Sequence, residues 1–280
     1  MQRAQVNWLP DGKRMHLHHG PIDMIVDASG PGRDAALLRA VRRFDTLLEE
    51  LVAELPRLRS PSGPPPVAGT ARRMTRAIEG FALDFITPMA AVAGAGADTV
   101  LHAMLSGPGV TKAYVNNGGD VAFYLTSGHM MRAAIATRPE GQITIEYREP
   151  VRGIATSGRS GRSHSLGIAD AVTVLARNAA AADAAATMIA NAVDLPGHPG
   201  IIREPANDIA PDSDLGARLV TTHVGHLTDT EVDAALDAGS RYANKIKSRS
   251  LIYGALLCLR GCTQAVGHLP HIQMKDPLNA

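Results

Sequence analysis

Aromatic side chains are scarce in this chain: phenylalanine, tyrosine and tryptophan make up 4% of its 280 residues. Base-stacking platforms are therefore sparse, and a formal net charge of +1 gives no basic footprint for nucleic acid or an anionic bilayer. Neither partner is expected. Cysteine is nearly missing. Cys258 and Cys262 stand alone, with no second pair to complete a zinc site and no disulfide framework, which fits a reducing, cytoplasmic compartment. Long apolar runs are missing too. The alanine-rich stretches are broken by Asp98 and His102, or by Arg177 and Asp183, before they reach the roughly 18 residues of a membrane span. The opening "MQRAQVNWLPDGKR" lacks the apolar core of a secretory signal.

What is present suits a packed domain: 45% hydrophobic and 20% charged residues, with abundant alanine and glycine. Gln5–Asp27 alternates around Pro10-Asp11-Gly12 and predicts strands joined by a turn. Asp34–Leu55 carries apolar residues at helical spacing and predicts one amphipathic helix. A Pro/Ser/Gly-rich surface loop follows, then a helix over Val67–Phe81. Thr87-Pro88 is a helix-opening pair for a segment reaching about Leu105. Strands are predicted at Lys112–Val115, Val121–Thr126, Met130–Thr137 and Gln142–Tyr147, with Gly128 and "PEG" as turns. Ala171–Leu175, Leu219–Val224, Leu251–Leu259 and Gln264–Val266 add strands, the last two as a closing hairpin. Ala179–Val193 and Thr228–Lys247 read as helices, the second with the capping pair Thr228 and Glu231. Strand clusters separated by helices predict a single α+β domain over residues 1–267, mainly antiparallel, with a tail over 268–280.

Four stretches could carry chemistry. "TPMAAVAGAGAD" is a small-residue helix start ending in Asp98. "NNGGD", Asn116 to Asp120 through Asn117, Gly118 and Gly119, is either a hairpin turn or a binding loop. In "ATSGRSGRSHS", Thr156, Ser157, Gly158, Arg159 and Arg162 could cradle phosphate or carboxylate, and Ser157 with His164 could form a nucleophile–base pair; a polar surface loop is the plain alternative. In "AADAAAT", Asp183 and Thr187 lie one helical turn apart. They offer two oxygen ligands to Mg²⁺, or merely a favourable charge near a helix start and a hydroxyl bonded back to a carbonyl. His16 and His18 alternate on one predicted strand face and lack a third ligand.

Taken in order, these stretches resemble the ApbE family, the flavin transferases that move FMN from FAD to a protein threonine, and its uncharacterised relatives. "PMAAVAGAGAD", "YVNNGGD", Ala155–Gly158 with His164 after it, the Val172–Val174 strand and Ala182–Thr187 follow the family's sequence of motifs from about Phe85 to Val193. The resemblance implies an ApbE-like, T-fold-related α+β domain. It implies Mg²⁺ held by Asp183, Thr187 and a backbone carbonyl near Val92. It also implies a phosphorylated ligand, FAD or FMN, bordered by Asn116–Asp120 and by the Thr156–Arg162 loop, with Asp120, Ser157 and His164 as the catalytic candidates. Two departures set the chain apart. Ala93 stands where the transferases carry a lysine, and "HSLGIAD" replaces their H-x-x-D-P-x-T-G. The expected identity is a divergent branch with little or no FMN transfer. A metal-independent hydrolase or isomerase for a small anionic metabolite, or a non-catalytic binding protein, stays open beside it, so whether the chain is an enzyme is open as well. A flat Ala/Gly-rich helix face is compatible with a homodimer.

Overall fold

The structure is a computed structural model describing residues 3–135, 141–161 and 163–274. In chain order its strands are β1 (Gln5–Trp8), β2 (Met15–His19), β3 (Ile22–Ser29), β4 (Lys112–Asn117), β5 (Asp120–Leu125), β6 (Met130–Ile135), β7 (Gly141–Glu146), β8 (Gly153–Ser157), β9 (Ala171–Ala176), β10 (Ile201–Pro205), β11 (Leu219–Val224), β12 (Gly254–Leu259), β13 (Cys262–Gly267) and β14 (Ile272–Met274). Its helices are α1 (Arg33–Asp45), α2 (Leu47–Ala53), α3 (Leu55–Leu58), α4 (Gly69–Ile78), α5 (Val92–Met104), α6 (Ala179–Ala192), α7 (Ala206–Ile209) and α8 (Asp229–Ser248). The fold class is α+β, and the strand pairs β1–β2, β2–β3, β3–β4, β4–β5, β5–β8 and β9–β12 are antiparallel, as the sequence implies. No described helix is long and apolar enough to cross a membrane.

The chain divides into two compact units. The first comprises residues 1–131, 145–155 and 176–183 and holds the strands in the order β1-β2-β3-β4-β5-β8. Its inner face is a ladder of small and medium apolar side chains. Ala28 pairs with Ala113, Val26 with Val115 and Val115 with Ala122, all buried. The ladder ends in polar residues: Asn117 lies opposite both Met24 and Asp120, and both Asn117 and Asp120 are buried. Helices α1 and α5 cover this face. Small residues in α5 make the approach close, since a Cβ on Gly96 would stand 3.2 Å from Met24 Cε and 3.4 Å from Asn117 Nδ2.

The second unit comprises residues 132–144, 156–175 and 184–280. Here β9 and β12, buried along their whole lengths, pair antiparallel, and β13 adds to β12. Helix α8 packs on β12 and β13. It can do so because a Cβ on Gly239 would come within 2.3 Å of Val193 Cγ2 and 2.8 Å of Leu257 Cδ2. The capping box at Thr228 and Glu231 forms as expected, and Glu231 also meets His198 Nε2 at 2.9 Å. β10 pairs with β11, and β14 with β7.

Several elements differ from the sequence expectation. Asp34–Leu55 is not one helix but breaks at Thr46 and Glu54 into α1, α2 and α3. At the first break Thr46 Oγ1 is drawn into a bond with Glu50 Oε1 at 2.8 Å and receives Arg43 at 2.9 Å. At the second, Pro56 sits in the first turn of α3, where its missing N–H is tolerated only at a new start. Thr87 does precede a helical segment, but that segment is a 3₁₀ turn over Pro88–Ala91, and α5 starts at Val92. Gly153–Ser157 is a strand, so Ala155, Thr156 and Ser157, the first residues of "ATSGRSGRSHS", lie in β8 and not in a surface loop. The end of the predicted Met130–Thr137 strand, most of the "PEG" turn, Arg162 and residues 275–280 lie outside the described residues.

Candidate functional site

The hairpin between β4 and β5 carries the first site residues. Asn117 pairs with Asp120, leaving Gly118 and Gly119 as the only two residues of the turn. Their φ values are +63° and +114°, so both need left-handed backbone, as a tight two-residue hairpin demands. Asn116 Oδ1 accepts the Gly119 N–H at 2.8 Å and locks the turn. "NNGGD" is thus a hairpin turn by backbone. Its flanking side chains point inward on the last rung of the buried face: Asn117 Nδ2 donates to the Ala93 carbonyl at 3.0 Å, at the start of α5. An unsatisfied amide there would cost about 1–3 kcal/mol, and the Ala93 bond removes that penalty.

The start of α5 receives a second polar group. Gly94 N–H donates to Asp183 Oδ2 at 2.9 Å, and the Ala93 N–H also points at this carboxylate. First-turn amides have no partner inside their own helix, so a carboxylate suits them. Asp183 also shares a side-chain hydrogen bond with Asp120. Burial first, and then the adjacent Asp120 charge, raise the Asp183 pKa well above the ordinary carboxylate range. Two carboxylates in hydrogen-bond contact need a proton or a cation between them.

α6 is held from the other side by Asp98. Its Oδ1 accepts the Ala179 N–H at 3.1 Å and its Oδ2 the Ala180 N–H at 2.9 Å, while Asn178 Oδ1 takes the Ala181 N–H at 2.9 Å. Burial of Asp98 outweighs these amide bonds and pushes its pKa up to about 6. The helices touch where Gly94 has no side chain; a Cβ there would lie 2.3 Å from the Ala179 carbonyl oxygen. Gly153 on β8 is as constrained: a Cβ there would lie 2.0 Å from the Asn178 carbonyl carbon.

Asp120, Asp183, Asn117 and the α5 start are therefore brought together within the first unit. Val92 is the first residue of α5; Thr187, part-buried in α6, falls in the second unit. The other candidates belong to the second unit. There Thr156 Oγ1 meets Thr173 Oγ1 at 2.9 Å. Gly158, at φ +148°, has no room for a Cβ, which would approach the Asp170 carbonyl oxygen to 2.6 Å. Arg159 is not a loose cation: its Nη2 meets Asp170 Oδ1 at 2.6 Å, and its backbone N–H donates to Ala169. The same Asp170 accepts the Arg260 N–H at 2.6 Å. Ser157 is part-buried and His164 exposed, with no hydrogen bond joining them. His16 and His18 face outward on β2, and His16 Nε2 meets Asp23 Oδ1 at 3.1 Å. Among the described residues, no group of three or more His, Cys, Asp or Glu side chains is placed to hold a metal.

Sequence reasoning marks Asp98, Asn117, Asp120 and Asp183 as unusual but misses how they join. The signal for Asp98 is its spacing of four from Gly94, which puts the acid and the bare backbone on one helix face.

A UPF0280 protein of Methanopyrus kandleri is 36% identical over 187 residues, covering 60% of this chain and 69% of the relative. UPF0280 proteins of Methanothrix thermoacetophila and Methanococcoides burtonii are 36% and 38% identical over 132 and 120 residues. The chain spans about half the length of these two, 55% and 49%. The apo crystal structure of the Pseudomonas stutzeri flavinyl transferase ApbE aligns over 95% of both chains, with a TM-score of 0.42 and 13% identity. The family model described as AbpE bacteria matches residues 6–265, and the chain belongs to that family, the divergent ApbE-like branch that its motif order implies.

Proposed function

We propose that this protein binds a phosphorylated ligand, a flavin nucleotide being the class its family suggests, through a divalent cation held at Asp120 and Asp183. The observation that carries the reading is the contact between these two carboxylates at the start of α5. A pair of acids this close is costly to keep charged without a cation, and one shared proton is the alternative. The donor set suits Mg²⁺. Mg²⁺ takes oxygen ligands, usually from one or two carboxylates, and completes its shell with water and substrate phosphates. Two carboxylates, joined by no third acid or histidine among the described residues, fit that habit better than they fit zinc or calcium. The Thr187 hydroxyl and the Val92 carbonyl are the further oxygens that the family pattern suggests. Bound Mg²⁺ would supply charge neutralisation for phosphate oxygens. Asp183 and Asp120 would hold it, while Asn117 keeps the α5 start in register with the hairpin.

The reading extends to binding and not to FMN transfer. Ala93 brings no cation to the phosphates, and Arg159, the described arginine of the second candidate loop, is already engaged with Asp170. A metal-free hydrolase built on Ser157 and His164 is disfavoured because no hydrogen bond joins these residues. Titration calorimetry with Mg²⁺ or Mn²⁺, with and without FAD, tests the proposal. Wild type should bind the ion, and Asp183→Ala should bind it at least tenfold more weakly while keeping its circular dichroism spectrum. Equal affinity in the two proteins would remove Asp183 from the site.

A further inference from the structure

We infer that Asp98 is a positioning residue: it fixes α6 against α5 and thereby sets the Asp183 carboxylate against Asp120. The geometry is a reciprocal exchange. Asp183, one turn into α6, accepts the Gly94 N–H in the first turn of α5. Asp98, one turn further along α5, accepts the Ala179 and Ala180 N–H groups that open α6. Each helix thus gives a carboxylate to the other's amino end. The pairs Gly94/Asp98 and Ala179/Asp183 are each spaced by four residues, so each pair lies on one face of its helix. Between them the backbones touch, because Gly94 leaves no Cβ in front of the Ala179 carbonyl. Three charge-assisted hydrogen bonds and one close backbone approach over one turn of each helix leave little freedom to slide or rotate. A shift of α6 along α5 would carry Asp183 away from both the Gly94 amide and Asp120. Asp98 is buried, with 9% of its surface exposed, so its carboxylate acts through this contact and not from solvent.

The metal arm of the test rests on the cation reading above; a second arm does not. Asp98→Asn keeps the shape of the side chain and replaces one acceptor oxygen by a donor group that must face an amide N–H. Ile246→Val, a core truncation in α8, serves as a control of comparable mildness. Amide hydrogen exchange read at Gly94 reports the clasp without any metal. In Asp98→Asn the Gly94 amide should exchange at least tenfold faster, while the amides of β3 and β4 keep wild-type rates; in Ile246→Val it should be unchanged. Unaltered protection of Gly94 in folded Asp98→Asn overturns the inference. Mn²⁺ affinity, followed by electron paramagnetic resonance, should fall at least tenfold in Asp98→Asn and stay within twofold in Ile246→Val. Wild-type affinity in Asp98→Asn overturns the inference equally. A wild type that binds no Mn²⁺ defeats the cation reading alone, and Gly94 exchange then decides the role of Asp98. Should Asp98→Asn not fold, Asp98→Ser, whose hydroxyl still accepts one amide, carries both arms.

Discussion

Gly118 and Gly119 look alike in the sequence and differ in what they tolerate. Nothing lies within 4 Å of a Cβ built on either, so any cost of substitution comes from the backbone alone. Gly118, at φ +63°, sits in the left-handed region that asparagine visits readily, whereas φ +114° at Gly119 belongs to glycine. Gly118→Asn should therefore be nearly neutral, within about 0.5 kcal/mol, and Gly119→Ala should cost about 1–3 kcal/mol. Urea midpoints of the two variants check this; equal loss in both would mean that the hairpin geometry is wrong. At this scale the sequence is candid about identity and silent about direction. "NNGGD" predicts a turn with the right residues. That Asn117 and Asp120 point inward follows from a period of two counted from Val115 and Ala122, and only once the register across β4 and β5 is known.

Among elements, α5 and α6 hold the site, and their contact has a pH signature. Asp98 titrates near 6 in the folded chain against 3.8 for an ordinary aspartate, because burial outweighs its two amide bonds. The raised value means that folded protein binds this proton more tightly than unfolded protein does. The contribution is present in full below about pH 4 and is lost as pH rises through about 6, amounting to about 3 kcal/mol. Asp183, also raised, acts in the same direction. Metal-free wild type should thus lose more stability than Asp98→Asn between pH 4.5 and pH 7, which urea unfolding at the two pH values would read. Parallel pH profiles would mean that Asp98 is not buried as described. Helix existence is legible from periodicity here, but helix ends are less so. Breaks at Thr46 and Glu54 interrupt Asp34–Leu55 although the apolar spacing runs straight through them. The Asp98 cap is illegible from local sequence because its amides lie about 80 residues away, at Ala179 and Ala180.

At the scale of the molecule, the order of motifs along the chain carries the family, and the family match over residues 6–265 bears that out. The fold class was readable from alternating strands and amphipathic helices. The strand at Gly153–Ser157 was not, because it runs directly into the Gly/Ser/Arg-rich residues that follow it, and its Gly153 serves the close approach of Asn178. What no window of sequence contains is the meeting of Asp120 with Asp183, brought together by a hairpin and a helix start. The central claim is that a divalent cation belongs between these two acids. Crystals of the protein soaked with Mn²⁺ and measured at the manganese absorption edge test it most directly. The account predicts one anomalous peak within coordination distance, about 2.2 Å, of a carboxylate oxygen from each of Asp120 and Asp183. Density for the two carboxylates still hydrogen-bonded to each other, with no peak between them at saturating Mn²⁺, would contradict it.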